Sequence, residues 1–137
     1  MLMSTRFLIP VLFLVSVLAL TACGGSKTDP IADATKAAAT PPSTSFDLVA
    51  KGTKFKQSVL VATAGAEITV RLDNQDGGTS HNFALYTNKG AKEKLYAGEL
   101  FEGKKTVENK FKAPAAGIYY FRCDAHPDSM AGTFIAR

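Results

Sequence analysis

The sequence predicts an all-β fold, a Greek-key β-sandwich of six to eight strands, and three observations carry that prediction. Residues 67–73 (Glu-Ile-Thr-Val-Arg-Leu-Asp) alternate polar and apolar without a break, which is the period of a half-buried strand. Apolar runs of similar length recur along residues 46–137, and helix-like stretches are few. Gly and Pro signals separate these runs, as at Ala64-Gly65 and Pro114-Ala115-Ala116-Gly117. Short strands punctuated in this way favour a sandwich. About ninety residues can just support one such core.

Taken in order, residues 46–50 alternate weakly and read as a first strand, and residues 59–62 as a second. In residues 67–73 the inward set is Ile68, Val70 and Leu72. Residues 74–80 form a turn-rich loop, after which His81 opens a strand running to Thr87. Residues 88–101 carry charges and glycine and are expected to be irregular with a short helix or strand. Alternation returns at 105–113, with Val107 and Phe111 inward. In the strand at 117–123, Tyr119, Phe121 and Cys123 share one face, where the two aromatics are read as core packing. Ile118, Tyr120 and Arg122 share the other face. Residues 130–137 form the closing strand.

The N-terminal segment is of another kind. Residues 1–6 include Arg6, and residues 7–20 are an apolar run short for a membrane span and shaped like a signal-peptide core. The run ends in Leu20-Thr21-Ala22-Cys23, which resembles the bacterial lipobox. That resemblance implies cleavage before Cys23 and lipidation of its sulfur. Two or more acyl chains anchor a protein stably. An ordinary secretory signal cut near Ala22, leaving Cys23 a free thiol, is the alternative. Residues 1–22 are thus a lipoprotein signal peptide and 23–45, rich in Gly, Ala, Ser, Thr and Pro, a lipid-anchored flexible linker. The folded domain is 46–137. It is expected outside the cytoplasm, periplasmic or at the cell surface, held on the cell membrane or outer membrane. The formal net charge of +4 includes Arg6 of the leader, and no Arg-rich patch or basic helix argues for nucleic acid. Lys89, Lys92, Lys94, Lys104 and Lys105 read as a solvated face.

The chemistry concentrates near the C-terminus. Cys123, His126 and Met130 offer a thiolate, an imidazole and a thioether within one short loop. The chain holds two histidines, and the other is His81. Beyond the leader and its Cys23, the remaining cysteine and methionine are Cys123 and Met130. Thiolate and thioether are soft ligands and imidazole suits copper, so the set points to copper rather than magnesium or calcium. Two His, one Cys and a weak axial Met are the donors of a blue-copper centre. Singly, each residue has an ordinary explanation: a surface histidine, a buried small hydrophobe, a core methionine. Their convergence favours ligands. A lone thiol outside the cytoplasm also invites oxidation unless a metal holds it.

Several motifs together resemble the cupredoxins, the plastocyanin and pseudoazurin group of type 1 copper proteins. They are Gly65-x-x-Ile68-Thr69-Val70, Asn74, His81-Asn82-Phe83, Gly117-x-Tyr119-x-Phe121-x-Cys123, Cys123-x-x-His126 and Met130-x-Gly132. The resemblance covers residues 46–137. It implies one copper ion held strongly by His81, Cys123 and His126 and weakly by Met130. It implies that the Asn82 amide donates to the Cys123 sulfur and that its side chain pins the ligand loop. It also implies an electron port at the edge of His126, framed by Ala125 and Pro127. Two features depart from the pattern. Three residues separate His126 from Met130, one fewer than in plastocyanin-like loops and one more than in amicyanin-like loops. Asp124 stands where many relatives carry Ser or Thr, and it and Asp128 read as loop solvation.

The expected function is a membrane-tethered carrier of single electrons between extracytoplasmic redox proteins, acting as a monomer. Storage or delivery of copper is the alternative, although no Met-rich or His-rich tract supports it. No enzyme activity is expected. Oxidase-type copper proteins need further histidines, commonly flanking the cysteine, and here Arg122 and Asp124 flank it.

Overall fold

The computed structural model describes residues 37–137. The leader, Cys23 and the linker as far as residue 36 lie outside the described residues. Ten strands follow one another: β1 (Ser45–Ala50), β2 (Val59–Ala62), β3 (Glu67–Asn74), β4 (Ser80–His81), β5 (Ala84–Tyr86), β6 (Lys94–Ala97), β7 (Phe101–Glu102), β8 (Lys105–Lys112), β9 (Gly117–Arg122) and β10 (Ala131–Ala136). One sheet has the order β1-β3-β8 and a second the order β2-β10-β9-β5-β6, while β4 and β7 form a separate pair. β1 runs parallel to β3, and β2 runs parallel to β10; the remaining pairings are antiparallel.

The two larger sheets enclose one core. β3 buries Ile68, Val70 and Leu72 and turns the alternate residues outward, as its alternation predicts. Phe111 of β8 meets Phe134 of β10 across the layers at a ring separation of 6.0 Å. Phe83 stacks on Phe111 at 5.7 Å and tilts against Phe121 at 5.6 Å. Fully burying a side chain of this size contributes about 1.5–3 kcal/mol, so this aromatic cluster, with the buried aliphatic residues around it, ties the sheets together. β8 places Val107, Asn109 and Phe111 on its inward face, and Asn109 is buried. Its amide donates to the Val70 carbonyl and its oxygen accepts from the Tyr96 hydroxyl, each at 3.3 Å.

Ten strands exceed the expected six to eight, and the excess lies between residues 80 and 102. The single strand expected from His81 to Thr87 is cut at Asn82-Phe83. β4 pairs with β7, whereas β5 pairs with β6 and β9. The chain thereby passes from the separate β4–β7 pair into the five-stranded sheet, with Phe83 buried in the core at the crossing. The stretch expected to be irregular contains β6 and the first residue of β7.

Residues 37–44 lie along the domain. A helical turn at 37–39 is followed by a parallel bridge from Ser43 to Ala62. The Ser43 amide donates to the Val61 carbonyl at 2.9 Å, and the Thr69 amide to the Thr44 carbonyl at 2.9 Å. The Arg137 guanidinium donates to the Ala38 and Thr40 carbonyls.

Candidate metal centre

Strand ends and one closed loop bring the four sequence-selected residues to one end of the sandwich. His81 ends β4 and is locked opposite Phe101 of β7. Cys123 follows β9 and Met130 precedes β10. The Cys123 amide donates to the Met130 carbonyl at 2.9 Å, so the hairpin closes directly on the two sulfur residues. Within it the His126 amide donates to the Cys123 carbonyl at 3.3 Å and the Met130 amide to the His126 carbonyl at 3.0 Å. Gly132 lets β10 approach so closely: a Cβ there would drive into the Phe121 ring and the Ser58 carbonyl.

The donors converge. Cys123 Sγ lies 3.8 Å from Nδ1 of His81 and 3.8 Å from Nδ1 of His126. The donor atoms of the three residues all lie within 4.8 Å of one another. The two imidazole rings sit 4.9 Å apart at 64°. With metal–nitrogen and metal–sulfur bonds of about 2.0 and 2.3 Å, a 3.8 Å separation subtends roughly 120° at a shared ion. That is the angle of a trigonal site for both Cys–His pairs, and two imidazoles beside one thiolate are the donor set that suits the copper centre implied by their chemistry. His81, Cys123 and Met130 are fully buried, and His126 is half-buried.

The family model for the cupredoxin-like domain matches residues 11–136. The chain belongs to the cupredoxin-like family. Solved structures share the fold. An auracyanin from Roseiflexus castenholzii, reduced with dithionite, superposes with a TM-score of 0.64 at 19% identity, over 71% of this chain and 99% of that one. Auracyanin A from Chloroflexus aurantiacus, described as a "blue" copper protein, gives 0.61 at 22% identity over 71% and 100%. Amicyanin from Paracoccus versutus gives 0.51 at 23% identity over 74% and 88%. No curated protein sequence matches the chain.

Around the donors of this cupredoxin-like domain stands a ring of polar residues. Nε2 of His81, the nitrogen facing away from the sulfur, lies 2.9 Å from Oδ2 of Asp76. The amides of Gly52 and Thr53 also donate to that carboxylate, at 2.7 and 3.1 Å. The Gly52 amide, the His81 contact and the Thr53 amide together lower the Asp76 pKa from 3.8 to about 2. Asn74, fully buried, accepts the Asp76 amide at 3.0 Å and donates to the Thr79 and Phe101 carbonyls. The side chain of Asn82 does pin the ligand loop, since its oxygen accepts the Asp124 amide at 2.8 Å. Among the described residues the hydrogen-bonding neighbours of Sγ are the two imidazole nitrogens.

Asp124 is a correction, because it does not solvate the loop. It accepts from the Tyr86 hydroxyl at 2.6 Å, from Arg122 at 3.0 Å and from Lys94 at 3.3 Å. Burial by itself raises its pKa, but the bonds from Tyr86, Arg122, Asn82 and Lys94 outweigh that and hold it below the usual carboxylate value. Lys94 is therefore engaged rather than merely solvated. Sequence reasoning missed Asp76 and Tyr86. For Asp76 the available signal was its place in the turn-rich stretch leading into His81. For Tyr86 there was none, since it reads as an ordinary strand residue.

Proposed function

We propose that this chain is a type 1 copper protein that carries single electrons between redox proteins outside the cytoplasm. The observation that carries this reading is the convergence of Cys123 Sγ with Nδ1 of both His81 and His126, 3.8 Å from each. Bound there, copper supplies one-electron chemistry between Cu(I) and Cu(II). In this reading His81, Cys123 and His126 would hold the ion strongly and Met130 would be a weak fourth donor. Strand ends and a backbone-bonded loop hold these donors still, which favours fast transfer by limiting rearrangement between the two oxidation states. The half-buried His126, between exposed Ala125 and half-buried Pro127, is the donor that reaches solvent, since His81, Cys123 and Met130 are fully buried.

Burial favours a carrier over a copper store or donor. A recipient must reach the ion to take it, and His81, Cys123 and Met130 are fully covered. A non-enzymatic role agrees with the two histidines of the chain, both spent on one centre. In the same reading, residues 1–22 are removed, Cys23 carries the lipid, and residues 23–45, of which 37–45 lie along the domain, link it to a monomeric copper domain at 46–137. Among the described residues no helix is long and apolar enough to cross a membrane.

The deciding experiment is a visible and electron paramagnetic resonance spectrum of the purified chain after one equivalent of Cu(II). The expected result is an intense thiolate-to-copper band that bleaches with reductant, returns with oxidant and is missing in Cys123→Ser. A colourless chain, or one that reduces copper and releases it, removes electron transfer as the function.

A further inference from the structure

We propose that Asp76 is a positioning residue for His81. Its carboxylate fixes the imidazole tautomer that turns the Nδ1 lone pair toward the metal site, and its charge favours Cu(II) over Cu(I). The inference rests on the copper reading above.

A neutral imidazole carries its proton on one nitrogen and an acceptor lone pair on the other. An ionised carboxylate can only accept. The 2.9 Å contact between Asp76 Oδ2 and His81 Nε2 therefore assigns the proton to Nε2 and frees Nδ1. Nδ1 is the atom that faces Cys123 Sγ at 3.8 Å. The imidazole is wholly enclosed and the Asp76 side chain is 17% exposed, so water competes weakly for this bond.

The carboxylate is itself held. The Gly52 amide binds Oδ1 and the Thr53 amide binds Oδ2, and the Asp76 amide is tied to the buried Asn74. Gly103 packs against the same loop: a Cβ there would come within 2.6 Å of the Asp76 carbonyl and 2.8 Å of the Asn74 carbonyl. Segments after β1, after β3 and after β7 thus fix one carboxylate against one imidazole. The two histidines differ in this respect. Among the described residues His126 has no carboxylate partner, so the anionic support falls on the enclosed ligand alone.

Such a partner raises the basicity of a ligating imidazole, and its removal typically costs 10–100-fold in metal affinity. A nearby negative charge also favours the more positive ion, because the interaction grows with the product of charges. The loss in Asp76 variants is therefore greater for Cu(II) than for Cu(I). Each tenfold difference between the two raises the reduction potential by about 59 mV for a one-electron couple.

The test compares the full chain with Asp76→Asn, which keeps shape and one acceptor oxygen, and Asp76→Ala. Two readouts are taken: the potential of the copper-loaded chain, and 15N spectra of histidine-labelled, metal-free chain. With two histidines in the sequence the spectra are simple. The expected wild-type spectrum has His81 protonated at Nε2 with slow proton exchange. Asp76→Ala is expected to lose that signature, and both variants, which lack the charge, to bind Cu(II) 10–100-fold more weakly and show a raised potential. A wild-type His81 protonated at Nδ1, or an unchanged potential in Asp76→Asn, overturns the proposal and leaves Asp76 as a brace for residues 52 and 53, even where Asp76→Ala fails to fold. A wild-type chain with no charge-transfer band overturns the copper reading instead, while the metal-free spectra still decide the tautomer.

Discussion

Asp76 stands on the outer nitrogen of His81 and Asp124 directly follows Cys123, and each is kept charged by donors from several parts of the chain. Both folded-state pKa values lie below the ordinary 3.8, that of Asp76 at about 2. The unfolded chain therefore binds more protons than the folded one in the acid range, so stability rises with pH there. The contribution of Asp76 is whole above about pH 4 and is lost as the pH falls through about 2. Urea melts of the metal-free chain between neutral pH and pH 3 are expected to show this decline, and Asp76→Asn is expected to make it shallower. Residue type explains why the donors were legible and their partners were not. Two histidines leave little choice of ligand, whereas Asp76 is one of twelve acidic residues. Which of them reaches the imidazole depends on the folded path of residues 74–80.

The β9–β10 hairpin carries two of the donors at its mouth and a third within its loop, so its alignment sets the spacing of the centre. Gly132 lies opposite Phe121 in that pairing and has no room for a side chain. Gly132→Ala is expected to cost about 1–3 kcal/mol through overpacking, read as a lowered denaturation midpoint. Copper binding is expected to weaken with it, because β10 must move away from Phe121. Strands with one wet face were legible. β3 and β8 alternate in sequence because they alternate in burial. Between 81 and 86 every residue is buried, so no period marks the break between β4 and β5. Short edge strands such as β6, with three of its four residues exposed, leave no apolar trace. The buried Asn109 was masked by its polarity, although its hydrogen bonds satisfy it.

At the scale of the molecule, Phe46, Phe83, Phe111, Phe121 and Phe134 bind the two sheets into one core, and a sandwich was legible from strand spacing alone. The long-range pairings were not, because parallel partners such as β2 and β10 are far apart in sequence. The proposed lipid anchor belongs to this scale too. In cell fractionation the wild-type chain is expected with the membranes and the Cys23→Ala variant in the soluble fraction. Equal partition of the two removes the anchor from the reading. The chain enters the domain beside Ala62 and Thr69, while β1 ends beside Asn74, next to the residues that support His81. Six residues of strand, roughly 20 Å at 3.3 Å per residue, separate the entry from that end. The point where the described chain joins the sandwich and the candidate metal centre therefore lie toward opposite ends of the domain. Under the proposed electron-carrier reading, a redox partner would meet the His126 edge at the end of the sandwich remote from that junction.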